Sequence, residues 1–207
     1  MKQTVYIIGP TFGLERVFPK YGYVPYTEDN ITSLNGEPDF VCWTGGTDIS
    51  PRLYGEEPLA VTQRPNLSRD EREVLLWKKY KDARKLGVCR GAQLLNVLNG
   101  GKLYQHVNNH SGSNHTIHDY KGRDTVVCSV HHQMMIPPTS GNFQLLSWSS
   151  GVSSYRLDGT GKKHEDNVVE PEVLFFPEDK ALCFQAHPEF GPDSCTDYFF
   201  QLIKEVY

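Results

Sequence analysis

The sequence predicts a three-layer α/β sandwich, with a mostly parallel central sheet and additional antiparallel strands. Three observations lead there. In the first half, short apolar runs bounded by turn residues alternate with helical patterns, the signature of strands buried on both faces. The second half is richer in strand patterns. The chain closes on Phe199, Leu202, Ile203 and Val206, an i, i+3, i+4, i+7 stripe that packs one helix face on a sheet.

Along the chain, residues 5–8 form an apolar first strand ending in Gly9-Pro10. A short helix over 12–19, a strand over 23–27 and an apolar strand over 40–43 follow, the last running into Thr44-Gly45-Gly46. Ser68-x-x-Glu71 has the form of a capping box, so a helix is expected from there to about Ala83. Its buried stripe would be Val74, Leu75 and Trp77. A very short strand at 86–88 leads into a helix over 92–98 that ends at Gly100-Gly101. Strands are expected over 125–130, 143–148, 153–157, 173–176 and 182–186, and the last helix over 194–206. The weakly structured stretches 45–67, 105–123 and 158–171 are of a length that is commonly functional or mobile, and they are expected to border a cleft. One domain over 1–207 is expected from the length.

Lys and Arg number 21 against 25 Asp and Glu, a formal net charge of −4. An electrostatic nucleic-acid binder should be basic, so no nucleic-acid partner is expected. Mean hydropathy is −0.49, and no apolar run is long enough to span a bilayer. The first ten residues hold only a four-residue apolar run, too short for a secretory signal. The five cysteines are odd in number, widely spaced and without a C-x-x-C pair, which argues against a disulfide framework or a zinc ribbon. A cytoplasmic protein with reduced thiols is expected, most of them small buried hydrophobes.

Cys89 departs from that pattern. It stands in Leu86-Gly87-Val88-Cys89-Arg90-Gly91-Ala92-Gln93, with a strand entering and a helix leaving. Glycines two residues away on each side mark a nucleophile elbow. The helix start beside the sulfur favours thiolate, and the N–H of Arg90 is placed to donate to an oxyanion. Ala186-His187-Pro188-Glu189 leaves an apolar strand and sets a base and an orienting carboxylate two residues apart. Trp43-Thr44-Gly45-Gly46 ends a strand in two glycines whose N–H groups can complete an oxyanion hole.

Together these elements resemble the class I glutamine amidotransferase superfamily (flavodoxin-like in fold). The likeness is closest to its γ-glutamyl hydrolases of the peptidase C26 type, γ-glutamyl-γ-aminobutyrate hydrolases among them. It is carried by Gly45-Gly46-Thr47-Asp48-Ile49-Ser50-Pro51, by Arg69-Asp70 with Glu73, and by Cys89-Arg90-Gly91 with Gln93 and Asn96. Val130-His131-His132-Gln133 and His187-Pro188-Glu189 complete it. The resemblance implies a Cys89, His187, Glu189 triad and an oxyanion hole from Gly45, Gly46 and Arg90. It also implies that Gln93 and the Val130, His131, His132 segment meet the γ-glutamyl substrate.

The implied activity is cysteine-dependent cleavage of γ-glutamyl amides through a thioester, releasing glutamate and an amine, with no cofactor. The alternative is a glutaminase subunit that feeds ammonia to a partner synthase, and a third reading is an inactive binding module. A small-molecule γ-glutamyl substrate is expected, no membrane partner, and a homodimer is compatible with the sequence. His106, His110, His115 and His118 crowd one polar segment. No metal-ligand spacing is complete there, and the sequence predicts a solvated loop or active-site lid. Glu165, Asp166 and Glu170 are expected on a solvated face.

Overall fold

The computed structural model describes residues 2–112 and 114–207. Ser113, part of the expected 111–113 loop, lies outside the described residues. The strands are β1 (Thr4–Ile8), β2 (Val24–Tyr26), β3 (Phe40–Trp43), β4 (Arg84–Val88), β5 (Lys102–Tyr104), β6 (His106–Val107) and β7 (His115–Asp119). They continue as β8 (Asp124–Val127), β9 (Met134–Ile136), β10 (Gln144–Ser150), β11 (Arg156–Leu157), β12 (Lys163–His164), β13 (Val169–Phe176) and β14 (Ala181–Phe184). The helices are α1 (Leu14–Val17), α2 (Leu67–Lys79), α3 (Arg90–Leu98) and α4 (Asp193–Val206).

Nine strands form the central sheet in the order β2-β1-β3-β4-β14-β13-β10-β7-β8. The pairings from β2 to β14 are parallel, and those from β14 to β8 are antiparallel. Strand alternation sorts β1 into two cores. Val5 and Ile7 join Phe199, Phe200, Leu202 and Ile203 of α4 on one face. Tyr6 and Ile8 join Trp43, Leu94 and Leu95 on the other, with Leu76 and Trp77 of α2 packed alongside. Helix, sheet and helix make the three expected layers. Among the described residues no helix is long and apolar enough to cross a membrane.

Several local expectations are corrected. The cap of α2 is Asn66, whose side chain accepts from Arg69 N, rather than Ser68. Its buried residues are Asp70 and Glu73, and Leu75 is 65% exposed. The expected stripe holds in part: Trp77 packs against the core together with Leu76, whereas Leu75 points outward and the buried positions go to the ion-paired Asp70 and Glu73. The expected helix over 12–19 is a single α turn followed by a 3₁₀ turn over Phe18–Tyr21. The His-rich segment is no solvated lid: His115–Asp119 is a strand of the central sheet, and His110 is fully buried. Glu170 is likewise buried on β13 and not on a solvated face. The expected strand over 153–157 shortens to β11, because Ser153 turns inward to donate to Glu170.

Candidate active site

Cys89 is the N-cap of α3, with φ 51° and ψ −110°. A non-glycine residue held there stores strain of about 1–3 kcal/mol, so its surroundings must fix it. Its N–H donates to Phe184 O at 2.9 Å, and its carbonyl accepts from Gln93 N at 3.1 Å. The flanking glycines are required by packing. A Cβ on Gly91 would stand 2.1 Å from Trp43 O, and one on Gly87 would stand 2.7 Å from the backbone of Ala92. Among the thiols, burial pushes those of Cys42 and Cys183 far up.

β14 runs parallel to β4 with Phe184 opposite Val88. The two strands therefore end side by side and deliver His187 next to Cys89. His187 Nδ1 lies 2.7 Å from Glu189 Oε1, and the Glu189 side chain is fully buried. With Nδ1 committed to the carboxylate, Nε2 is the nitrogen that meets the Cys89 sulfur. Burial alone would depress the imidazole. Its hydrogen bonds to Cys89 and Glu189 outweigh that and raise it to about 10, so the ring carries its proton at neutral pH. Gly45 lets the ring in, because a Cβ there would lie 2.6 Å from His187 Cε1. Phe190 stacks on the ring at 4.9 Å.

Arg90 divides its roles. Its side chain turns into the protein, where Nη2 meets Asp70 Oδ1 and Nη1 meets Glu73 Oε2, both at 2.5 Å. Arg69 Nε holds the other Glu73 oxygen at 2.6 Å and its Nη2 donates to Thr44 O at 3.2 Å. Ser50 N donates to Asp70. This buried cluster of two guanidinium and two carboxylate groups ties α2 to the elbow and to the glycine loop. Gly46 lies directly over it, with φ 144° and Arg69 Nη1 at 2.2 Å from where a Cβ would sit. The cluster thus ties the glycine loop to the elbow, and Gly46 lines the same cavity as Cys89.

A small cavity of about 80 Å³ opens beside Cys89, lined by Gly46, Asp48, Gln63, Gln93 and residues 130–133. The structure therefore brings Gln93, Val130, His131 and His132 to one pocket with Cys89. Gln93 Nε2 donates to Gln133 O at 3.2 Å. His132 Nε2 bonds Asp48 Oδ1 at 3.0 Å, and the other Asp48 oxygen accepts from Gln63 N. Sequence reasoning did not single out Asp48, Gln63 or Gln133 as lining residues. Two of them lie inside the quoted motifs, whereas Gln63 sits in a loop with no pattern. A larger hollow of about 710 Å³, walled by Gly9, Glu28, Arg69 and Arg72 among others, contains no nucleophile.

The family model described as Peptidase C26 matches residues 23–189. The glutamine amidotransferase-like protein YvdE of Lactococcus lactis is 32% identical, over 86% of this chain and 77% of its own length. A Mycobacterium tuberculosis glutamine amidotransferase is 43% identical over 72% of this chain but only 50% of its own. The carbamoyl phosphate synthase small chain of Thermotoga maritima is 28% identical over 93% of this chain and 51% of its own. In fold, the chain resembles a solved glutamine amidotransferase of Thermotoga maritima. The TM-score is 0.60 at 14% identity, covering 100% of this chain and 84% of the other. The chain belongs to the peptidase C26 family, within the class I glutamine amidotransferase superfamily.

Proposed function

We propose that this chain hydrolyses γ-glutamyl amides through a Cys89 thioester. The observation that carries the reading is the strained elbow cysteine facing a buried imidazole that Glu189 holds in one tautomer. The γ-glutamyl group occupies the cavity of Gln93 and residues 130–133. The Cys89 sulfur, its proton held on His187, attacks the γ-carbonyl. The N–H groups of Arg90 and Gly46 receive the negative oxygen. As the tetrahedral intermediate collapses, the C–N bond breaks and His187 gives its proton to the departing amine. His187, now neutral, takes a proton from water as that water attacks the thioester. Glutamate leaves, and the proton is back on His187.

A second reading is a glutaminase that works as one component of a synthase. It is favoured by the likeness to carbamoyl phosphate synthase small chains across 93% of this chain. One experiment separates the two: kcat/KM of the purified chain, with no added protein, on γ-glutamyl-γ-aminobutyrate, γ-glutamylputrescine, other γ-glutamyl amides and glutamine. Turnover of at least one amide above glutamine is expected, with activity abolished by Cys89→Ala. Negligible turnover until a synthase is supplied would select the second reading, and a fully active Cys89→Ala enzyme would overturn both.

A further inference from the structure

Beneath the pocket lies a second buried polar cluster that the thiol chemistry does not use. His110 and Glu170 are fully buried, Glu172 is 2% exposed, and the His115 side chain is 9% exposed. Their placement follows from the antiparallel half of the sheet. Glu170 and Glu172 are two apart on β13, and β7 brings His115 in from the far side of β10. The residue of β10 between them is small: Ser149 Oγ lies 3.1 Å from a carboxylate oxygen of each glutamate.

Hydrogen-bond accounting leaves this cluster short of positive charge. Ser129 Oγ gives its proton to His110 O at 2.6 Å, so it can only accept from His110 Nδ1 at 3.3 Å. A neutral His110 has one proton for two acceptors, this hydroxyl and Glu170: placed on Nε2 it faces Glu170 Oε2, 3.5 Å away, and the Nδ1 lone pair is left without a donor. His110 Nε2, His115 Nδ1 and Glu172 Oε2 are buried without a hydrogen-bond partner. Two carboxylates enclosed among imidazoles need a cation.

The geometry suits a metal. One ligand atom from each of His110, His115 and Glu172 lies within 4.8 Å of the others. Two nitrogens bound to zinc at 2.0–2.1 Å in a tetrahedron stand about 3.3 Å apart. The observed separations bracket that value: 2.8 Å for His115 Nε2 to Glu172 Oε1 and 3.8 Å for His110 Nδ1 to the same oxygen. Two imidazoles and a carboxylate are a borderline-soft donor set that favours zinc over magnesium or calcium. Ser149, which donates to Glu172, and Glu170, which faces His110 Nε2, would orient ligands from outside, as outer hydrogen bonds do in zinc sites.

We propose that His110, His115 and Glu172 bind a zinc ion, with Glu170 balancing its second charge. The ion would brace the pocket wall from behind, because His131 N donates to His110 O at 3.0 Å and the two rings stand 4.7 Å apart. The sequence predicted no metal here, because residues 110, 115 and 172 share no zinc-motif spacing.

The test uses the full chain, stripped with chelator and titrated with zinc against a chromophoric competitor. One equivalent is expected to bind at submicromolar Kd and to raise Tm by roughly 5 °C or more at a hundredfold excess over Kd. Cobalt(II) should give tetrahedral d–d bands without thiolate charge transfer, which separates this site from Cys89. Cys89→Ser should retain the equivalent, and His115→Gln and Glu172→Gln should lose it. If the stripped wild-type chain takes up no stoichiometric metal, or if His115→Gln binds it unchanged, the proposal fails and protonated histidines are the cation. The wild-type titration decides even where a variant does not fold.

Discussion

Two buried charge clusters lie on either side of the Cys89 elbow, and they are built on opposite principles. On the parallel side, Arg69 and Arg90 meet Asp70 and Glu73. On the antiparallel side, His110 and His115 meet Glu170 and Glu172. A guanidinium is charged at any pH the protein meets and grips a carboxylate through a planar fork. An imidazole supplies charge only when a proton or metal is present. The first cluster is therefore a fixed frame for the elbow and the glycine loop. The second is a frame whose strength depends on what it holds.

The largest effect should come from breaking the fixed frame. Arg90→Met leaves Asp70 and Glu73 buried with too little positive charge, and such a loss typically costs about 3–5 kcal/mol. Urea denaturation of wild type and variant measures it directly. A loss below about 1 kcal/mol would mean that the guanidinium is not what holds the elbow to α2.

Next in size is the proposed link from that frame, through the Gly46 N–H, to the reacting carbonyl. Gly46→Ala forces a Cβ to within 2.2 Å of Arg69 Nη1 at a φ of 144°, so the loop must shift and carry its N–H away. Removal of one oxyanion donor costs on the order of 10²–10³-fold in kcat. Gly46→Ala should approach the lower figure with KM much less changed, as read from γ-glutamyl amide hydrolysis. An equal rise in KM with kcat intact would assign Gly46 to substrate binding instead.

The difference between the clusters also explains which parts could be read from residues alone. The elbow, the His187–Glu189 pair and the Gly45-Gly46 turn are local in sequence. Each carries its chemistry within a few consecutive residues, and strand order places them together. The parallel half of the fold was readable for the same reason, since β1, β3 and β14 are short apolar runs. The antiparallel half hides its logic. His110, His115 and Glu172 meet only through the β13-β10-β7 order, which no spacing encodes. A run of polar residues on a buried strand reads as loop. Gln63 lines the pocket with its backbone N–H held by Asp48 at 2.8 Å, a contact no local pattern announces.

A third prediction concerns the pH response of His187, which lies in neither cluster. The folded-state value of His187 is raised above 6.5 to about 10. Its contribution to stability is complete below pH 6.5 and is lost as pH rises through about 10. In the proposed mechanism the same proton goes to the leaving amine, so kcat/KM should hold through neutral pH and fall on the alkaline side. Glu189→Gln removes one of the bonds that raise the imidazole, and it should move that fall to lower pH while keeping part of the activity. A wild-type profile that already declines near pH 6.5 would contradict the assignment. So would a Glu189→Gln profile that is merely scaled down with its limbs unmoved.

The smallest effect concerns α2 itself. An amphipathic reading buries Leu75, whereas the structure leaves it 65% exposed and turns Asp70 and Glu73 inward. Substitutions at exposed positions that touch nothing special usually stay within about 0.5 kcal/mol, so Leu75→Ser should be nearly silent in urea denaturation. Glu73→Gln, in the same helix, gives up half of the negative charge that faces Arg69 and Arg90, and it should cost several times more. The pair is informative because apolar burial and ion pairing predict opposite orders for these two positions. If Leu75 belonged to the apolar face of α2, Leu75→Ser would bury a hydroxyl and lose the transfer energy of a leucine, about 1.5–3 kcal/mol. Glu73→Gln would then be the mild change. A larger loss at Leu75 than at Glu73 would therefore reverse the orientation of α2 and remove the frame on which Arg90 and the glycine loop depend.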